Sequence, residues 1–342
     1  MLAVRVERGL AEETRKLLLA TGCLDEKRLI LQKGNFVELP VLQQPPSMDL
    51  KVVEQEKPEY KRPRLSFQLI MERLNLQEDE AAALRHWELI GDVLVVKLSD
   101  GMARKKEIGD GLLKLIPNAN AVVNRQKVQG VYREPKAELI AGSRTETLHK
   151  ENGCLFKLDP MKVMFSTGNP EERRRMASIV GDGEVVLDMF AGVGQFTIPV
   201  AKHSRPKRVF AVEKNPVAFA YLEENVRLNQ LQNVYTLLGD CSKVSPQGVA
   251  DRVIMGFFDP LAFLPAAVGA LREEGIIHYH TLTQKKELKL VAERLLPEFK
   301  KLGCSIEVLG ERLIKSYAPR LWHAVIDLKV HRCQNIRGAG PN

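Results

Sequence analysis

Apolar runs alternate with glycine, proline and charge along most of this chain, and their periods predict an order of elements. Residues 1–44 read as a strand, a helix over Leu10 to Thr21, and short strands ending at Val37-Glu-Leu-Pro-Val41, a small α/β unit. Residues 45–63 carry proline and charge with little apolar periodicity, as a linker does. In a second, α+β unit, residues 64–150, helices are predicted over Ser66 to Leu74, Asp79 to His86 and Gly101 to Ile116. One strand is predicted over Trp87 to Lys97, and others at Ala121 to Asn124 and Ala137 to Ala141. From residue 151 to the end, three apolar runs each finish in an acid, at Asp188, Glu213 and Asp240. Strands of this kind separated by helical segments predict a Rossmann-like α/β domain with a parallel sheet.

The first of those strands sharpens the picture. Glu184-Val-Val-Leu-Asp188-Met-Phe-Ala-Gly192-Val-Gly194 reads as a buried strand ending in a glycine turn that opens a helix from about Gln195. Open α/β sheets bind nucleotide-like ligands at such carboxyl ends. Gly192 and Gly194 let the backbone turn sharply beside a ligand, and the helix start presents free N–H groups. Glu213 follows about twenty residues later, where an acid accepts both ribose hydroxyls. Asn215 and Pro216 supply an N-cap and a first helical residue, and Asp240 suits the amino group of an adenine. The loop Ala191-Gly-Val-Gly-Gln-Phe lacks the third glycine that a dinucleotide fingerprint uses beside a pyrophosphate. The series therefore points to S-adenosylmethionine, with contacts expected from Asp188, Phe190, Ala191, Gly192, Val193, Gly194, Glu213, Lys214, Asn215, Asp240 and Cys241. Asp188 has an alternative role, orienting the glycine loop without touching ligand.

Composition narrows the partner. With 342 residues, 44% of them hydrophobic, the chain can build more than one core. No apolar stretch approaches the roughly 20 residues of a membrane span, and the first turns lack a signal-peptide core, so a cytoplasmic location is expected. Five scattered cysteines, never in a Cys-x-x-Cys pair, indicate neither a disulfide framework nor a metal site and read as free thiols. A net charge of +8 points to a polyanion. Basic groups cluster at residues 104–106, at Arg125 with Lys127, at 173–175, 202–208 and 285–286, where they are expected to neutralise phosphates, although any one cluster can be a solvated face. His278-Tyr-His280 reads as ordinary sheet residues and Trp322-His323 as core and strand end.

Several phrases converge on one family. Gly130-Val-Tyr-Arg133-Glu-Pro, Val163-Met-Phe-Ser166-Thr-Gly-Asn169-Pro-Glu-Glu172-Arg, Asp188-Met-Phe-Ala-Gly-Val-Gly194 and Lys315-Ser-Tyr-Ala-Pro319 followed by Trp322-His323 resemble the archaeal and eukaryotic enzymes that modify guanosine 37 of tRNA. That resemblance implies tRNA as partner, tRNA-Phe in particular, with the two N-terminal units gripping it. It implies one of two chemistries: methyl transfer to N1 of the guanine, or, in the wybutosine pathway, transfer of the 3-amino-3-carboxypropyl arm of S-adenosylmethionine to a tricyclic guanine derivative. The methylating class shows Phe-Ser-Pro-Arg-Leu and an Asn-Leu/Pro-Pro turn; this chain has Phe165-Ser-Thr-Gly-Asn169 and Met255-Gly-Phe257 instead. Both departures resemble the aminocarboxypropyl class. By the same match Glu172 is the expected base and Arg133 the expected substrate-positioning donor. Ser166 and Asn169 are expected along the amino acid arm, and Met255 and Gly256 beside the cofactor. Glu172 can instead be a first-turn helix acid, Arg133 a phosphate contact or loop ion pair, and Ser166 and Asn169 helix caps. A noncatalytic RNA-binding protein with a vestigial cofactor fold is the remaining alternative.

Overall fold

The structure is a computed structural model that describes residues 1–45, 50–55, 58–59 and 67–332. Ser66, most of the expected linker's second half, and the tail with Cys333 lie outside the described residues.

The chain separates into two compact units, Met1–Leu69 and the remainder from Ile70. In the first, β1 (Leu2–Glu7), α1 (Ala11–Ala20), β2 (Leu31–Lys33), β3 (Phe36–Pro40) and β4 (Val52–Glu54) form a four-stranded sheet in the order β2-β3-β1-β4. Val4, Leu18, Val37, Leu39 and Val41 make its core. Arg28 is buried there because Asp25, at 2.7 Å, and the carbonyls of Leu2 and Val41 take up its donors. The segment read as linker contains β4, which pairs antiparallel with β1 through Leu2↔Glu54 to Val4↔Val52. Three residues are too few to show a period, which is why the sequence reads as linker there.

The division falls within α2 (Phe67–Leu74), and the second unit continues with α3 (Glu78–Leu84), β5 (Glu88–Ile90), β6 (Val93–Val96), α4 (Lys105–Leu115), β7 (Ala121–Gln129) and β8 (Glu134–Gly142). The single strand expected over Trp87 to Lys97 is a hairpin. Gly91 has φ +58°, and a Cβ on it would lie 2.0 Å from Thr147 Oγ1, so only glycine fits this turn. The hairpin β9 (Thr147–Glu151) and β10 (Cys154–Leu158), turning at Asn152 and Gly153, straddles the boundary expected at residue 151.

Beyond it come α5 (Pro170–Ile179), β11 (Val185–Asp188), α6 (Thr197–His203), β12 (Arg208–Glu213), α7 (Pro216–Leu228), β13 (Val234–Leu238), α8 (Cys241–Val244), β14 (Ala250–Met255), α9 (Leu264–Ala270), β15 (Leu271–Thr283), α10 (Leu288–Lys301), β16 (Cys304–Ala318) and β17 (Leu321–Arg332). They build a seven-stranded sheet in the order β13-β12-β11-β14-β15-β17-β16, parallel except for β17. The expected Rossmann-like fold is present. Asn225 on α7 and Asn229 at its C-cap join β10 to it: Asn225 Oδ1 accepts from Lys157 N at 2.6 Å and Asn229 Oδ1 from Leu155 N at 3.0 Å.

Candidate active site

A cavity of about 1280 Å3 opens over the carboxyl ends of β11, β12, β13 and β14 and continues to β15, β16 and β17. The strand order reverses between β11 and β14, where α/β folds leave a crevice.

Gly192, with φ +57°, forms part of the wall, and nothing lies within 4 Å of where its Cβ would be. Its backbone is thus open to a ligand. Glu213 sits beside it. Its Oε2 accepts from Gly192 N at 2.7 Å and its Oε1 from Asn215 N at 2.7 Å, so the carboxylate is aimed and each oxygen keeps a lone pair for a hydroxyl. Burial pushes the Glu213 carboxyl above its ordinary value, against the backbone N–H bonds that favour its charge. Asn215 caps α7 as expected, accepting from Val217 N at 2.8 Å, while its amide donates to Tyr132 O at 3.0 Å and so ties the tip of the β7–β8 hairpin to this edge. Asp240 is bonded to Lys214 at 2.9 Å and caps α8 through Ser242 N; these partners hold its carboxyl down to about 2. Phe190 stacks on Phe257 at 5.1 Å and meets Phe263 edge-on. An open glycine wall, an aimed carboxylate, a second acid one strand over and an aromatic flank fit a nucleoside with a charged arm, as S-adenosylmethionine is.

Of the expected cofactor residues, Ser166, Asn169, Phe190, Ala191, Gly192, Glu213, Lys214, Asn215, Asp240, Cys241 and Gly256 line the cavity. Four do not, and each has a structural task. Asp188 is fully buried, its Oδ2 accepting from Thr197 Oγ1 at 2.7 Å, and burial pushes its carboxyl up to about 6; it holds the glycine loop from beneath. Val193 packs in the core while its carbonyl accepts from Asn225 Nδ2 at 2.9 Å. A Cβ on Gly194, φ +97°, would meet Ile198 at 2.7 Å and Leu222 at 3.1 Å, so this glycine serves close packing. Met255 is core, its side chain pointing away as Gly256 turns to the cavity.

Glu172, the expected base, is not among the residues that line the cavity. It is 3% exposed and is held in a two-oxygen pair with Arg175 at 2.6 and 2.9 Å. Arg175 also binds Asp327, so Glu172 is an internal ion-pair acid of α5. Arg133 does reach the site. It has φ +52° at the hairpin tip, its guanidinium lies 5.1 Å from the Phe257 ring and 6.0 Å from Phe258, and burial lowers its pKa. Asn169 stands at the N-cap of α5 but its side chain makes no capping bond, its Oδ1 being buried without a partner, and Ser166 Oγ accepts from Lys315 Nζ at 2.9 Å. Cavity residues that sequence reasoning passed over are Gln195, His280, Lys315, Tyr317 and His323. The alternation of His278 and His280 along an apolar strand was their available signal.

Several basic clusters are spent on internal pairs. Arg104 binds Glu80 and Glu107, Lys105 binds Glu138, Arg173 binds Glu151, and Arg125 is buried beside Glu88. Lys97, Lys106, Lys127, Lys207, Arg208, Lys285 and Lys286 remain exposed. Among the described residues no helix is long and apolar enough to cross a membrane.

Fold, strand order and cavity together define an S-adenosylmethionine-dependent transferase. Residues 147–309 match the TRM5/TYW2 methyltransferase domain, residues 69–145 the TYW2 N-terminal domain, and residues 3–49 the tRNA methyltransferase 5 N-terminal domain. The tRNA(Phe) (4-demethylwyosine(37)-C(7)) aminocarboxypropyltransferase of Methanocaldococcus jannaschii is 44% identical over 250 residues, covering 72% of this chain and 98% of the relative. The tRNA (guanine(37)-N(1))-methyltransferase Trm5b of Pyrococcus abyssi is 36% identical over 335 residues, 96% of this chain and 99% of the relative. The crystal structure of M. jannaschii TYW2 in complex with AdoMet has 40% identity, a TM-score of 0.59, and coverage of 72% of this chain and 100% of that one. The chain belongs to the TRM5/TYW2 family of tRNA-modifying transferases.

Proposed function

We propose that this protein moves the 3-amino-3-carboxypropyl group of S-adenosylmethionine to the tricyclic 4-demethylwyosine at position 37 of tRNA-Phe, leaving methylthioadenosine. The observation that carries the reading is the end of β14. Met255 turns into the core and Gly256-Phe257-Phe258 lines the acceptor side, where the methylating relatives' proline-stiffened turn is absent. Thr167-Gly168-Asn169 supports it: a Cβ on Gly168 would come 2.7 Å from Lys315 Nζ, so glycine allows this lysine to approach.

When bound, S-adenosylmethionine supplies a sulfonium whose three neighbouring carbons are electrophilic; orientation decides which one reacts. Glu213 orients the ribose and Asp240 the adenine. Ser166 and Lys315 face the arm, with the ammonium suited to a carboxylate. Arg133, stacked on Phe257 and Phe258, positions the acceptor ring and donates to it. The exposed lysines at the cavity mouth, Lys97 and Lys127, meet the phosphates of the anticodon loop.

Residues 3–49 favour a second reading, because the Trm5b relative shares them and spans almost the whole chain. Mass spectrometry of tRNA nucleosides after incubation with enzyme and cofactor tests both. Gain of the four-carbon arm on the tricyclic precursor supports the proposal; gain of methyl on plain guanosine 37 supports the N1-methyltransferase.

A further inference from the structure

At the acceptor end of the cavity, β15 and β17 run antiparallel, with His280 opposite Val325 and Leu282 opposite His323, so the two histidines are diagonal neighbours. His280 Nδ1 lies 2.9 Å from His323 Nε2. Each ring is 1% exposed and each lines the cavity. The outer nitrogens, His280 Nε2 and His323 Nδ1, are buried and have no partner. Orphaned buried nitrogens are uncommon and costly, and two on one hydrogen-bonded pair point to a role that ligand completes.

Two neutral rings sharing one hydrogen bond have a fixed proton inventory. Whichever ring donates the shared proton, one outer nitrogen is left bare and the other keeps its N–H. Such a pair takes a proton at its bare end, reverses the shared bond, and releases a proton from the far end. It ends in the opposite tautomer.

We propose that the His280–His323 pair is the proton acceptor of the transfer, removing the hydrogen of the reacting ring carbon. The inference rests on the reading above. The ring carbon bonds to the incoming carbon while the carbon–sulfur bond breaks, its electron pair going to sulfur; the ring then carries the positive charge and its C–H proton passes to the bare nitrogen. A weak base suffices, because that proton becomes acidic only after the new bond forms. Glu172, paired with Arg175, is not available for the task.

The surroundings keep both rings neutral. Phe196 packs edge-on to His280 at 5.2 Å and Phe258 to His323 at 4.9 Å. Lys315 on β16, which pairs opposite His323, His278 on β15, Arg175 on α5 and Asp327 on β17 are the titratable groups facing the pair. Burial first, and Lys315 second, push His323 down to about 4. Burial, then His323, His278 and Arg175, with Asp327 opposing, hold His280 well below the ordinary value.

The test compares wild type with His280→Asn, His323→Asn and His323→Gln in single turnovers, using precursor tRNA with hydrogen or deuterium on the reacting carbon. Product mass is read in the same reactions. Wild type should show no isotope effect and a rate flat with pH above about 5. The folded variants should lose about 100-fold or more in rate and acquire a clear isotope effect, with cofactor and tRNA affinities near wild type. Nitrogen-15 spectra of the enzyme alone should show two neutral rings at pH 7 and one shared proton; either ring protonated would overturn the proposal even if every variant misfolds. Arm transfer at wild-type rate without an isotope effect in folded variants would overturn the relay alone. Methyl gain would overturn the functional reading and the relay together.

Discussion

The two ends of the cavity are built differently. At the end read as the cofactor site, backbone geometry shapes the wall: Gly192, the N-cap at Asn215 and the N–H groups that aim Glu213 are set by the turns that follow the strands. At the acceptor end, side chains from distant segments meet: Arg133 over Phe257, Lys315 on Ser166, His280 on His323. Local geometry follows from neighbours in sequence, whereas the acceptor end depends on strand order and register. The first end suits a cofactor that the whole family shares, and the second is where relatives with different acceptors have room to diverge.

The sharpest way to break the cofactor end is Gly194→Val. Its side chain would enter space held by Ile198 and Leu222 at a positive φ, costing about 3 kcal/mol or more of stability. A melting scan should show the loss and calorimetry no cofactor binding; an unperturbed mutant would separate the glycine loop from the fold.

Asp188→Asn should act through pH. The folded carboxyl is raised to about 6, above an unfolded value near 3.9, so folding takes up a proton between the two and wild-type stability falls as pH rises across that window. The asparagine variant lacks this term. Its advantage over wild type should grow by roughly 2 kcal/mol from pH 4 to pH 6, measured by urea unfolding; parallel pH profiles would contradict the burial argument.

Glu213→Ala should weaken S-adenosylmethionine binding by about 1–3 kcal/mol in calorimetry, the scale of a lost charge-assisted hydrogen bond. Arg133→Lys sharpens the contrast from the other side: cofactor affinity should stay put while the transfer rate falls, because a lysine loses the planar stack on Phe257 and Phe258. Equal loss of cofactor affinity in both mutants would erase the distinction between the two ends. The smallest effect is expected at the mouth. Lys127→Glu should weaken tRNA binding modestly and flatten its salt dependence, with cofactor binding untouched.

The sequence made the parallel strands, the α7 cap and the lining of the cavity by eleven of the expected residues legible because each is a local pattern: an apolar run, a turn glycine, an acid at a strand end. What it hid was partnership. Glu172 reads as a base until Arg175, one turn later, is seen to occupy it, and Asp188 reads as a ligand contact until Thr197 does. The basic clusters at 104–106 and 173–175 read as phosphate sites, but acids far away in sequence claim much of them: Glu138 for Lys105, Glu151 for Arg173, Asp327 for Arg175. His280 and His323 lie 43 residues apart on antiparallel strands, and no spacing rule announces that their rings touch.

The central claim is that the arm, not the methyl group, leaves the sulfonium. One preparation of S-adenosylmethionine labelled in the methyl group and one labelled in the carboxyl carbon would be incubated with tRNA-Phe carrying the tricyclic precursor and, separately, with tRNA carrying plain guanosine 37. Carboxyl label on the precursor tRNA alone, with methylthioadenosine released, is the expected result; methyl label on plain guanosine would contradict it.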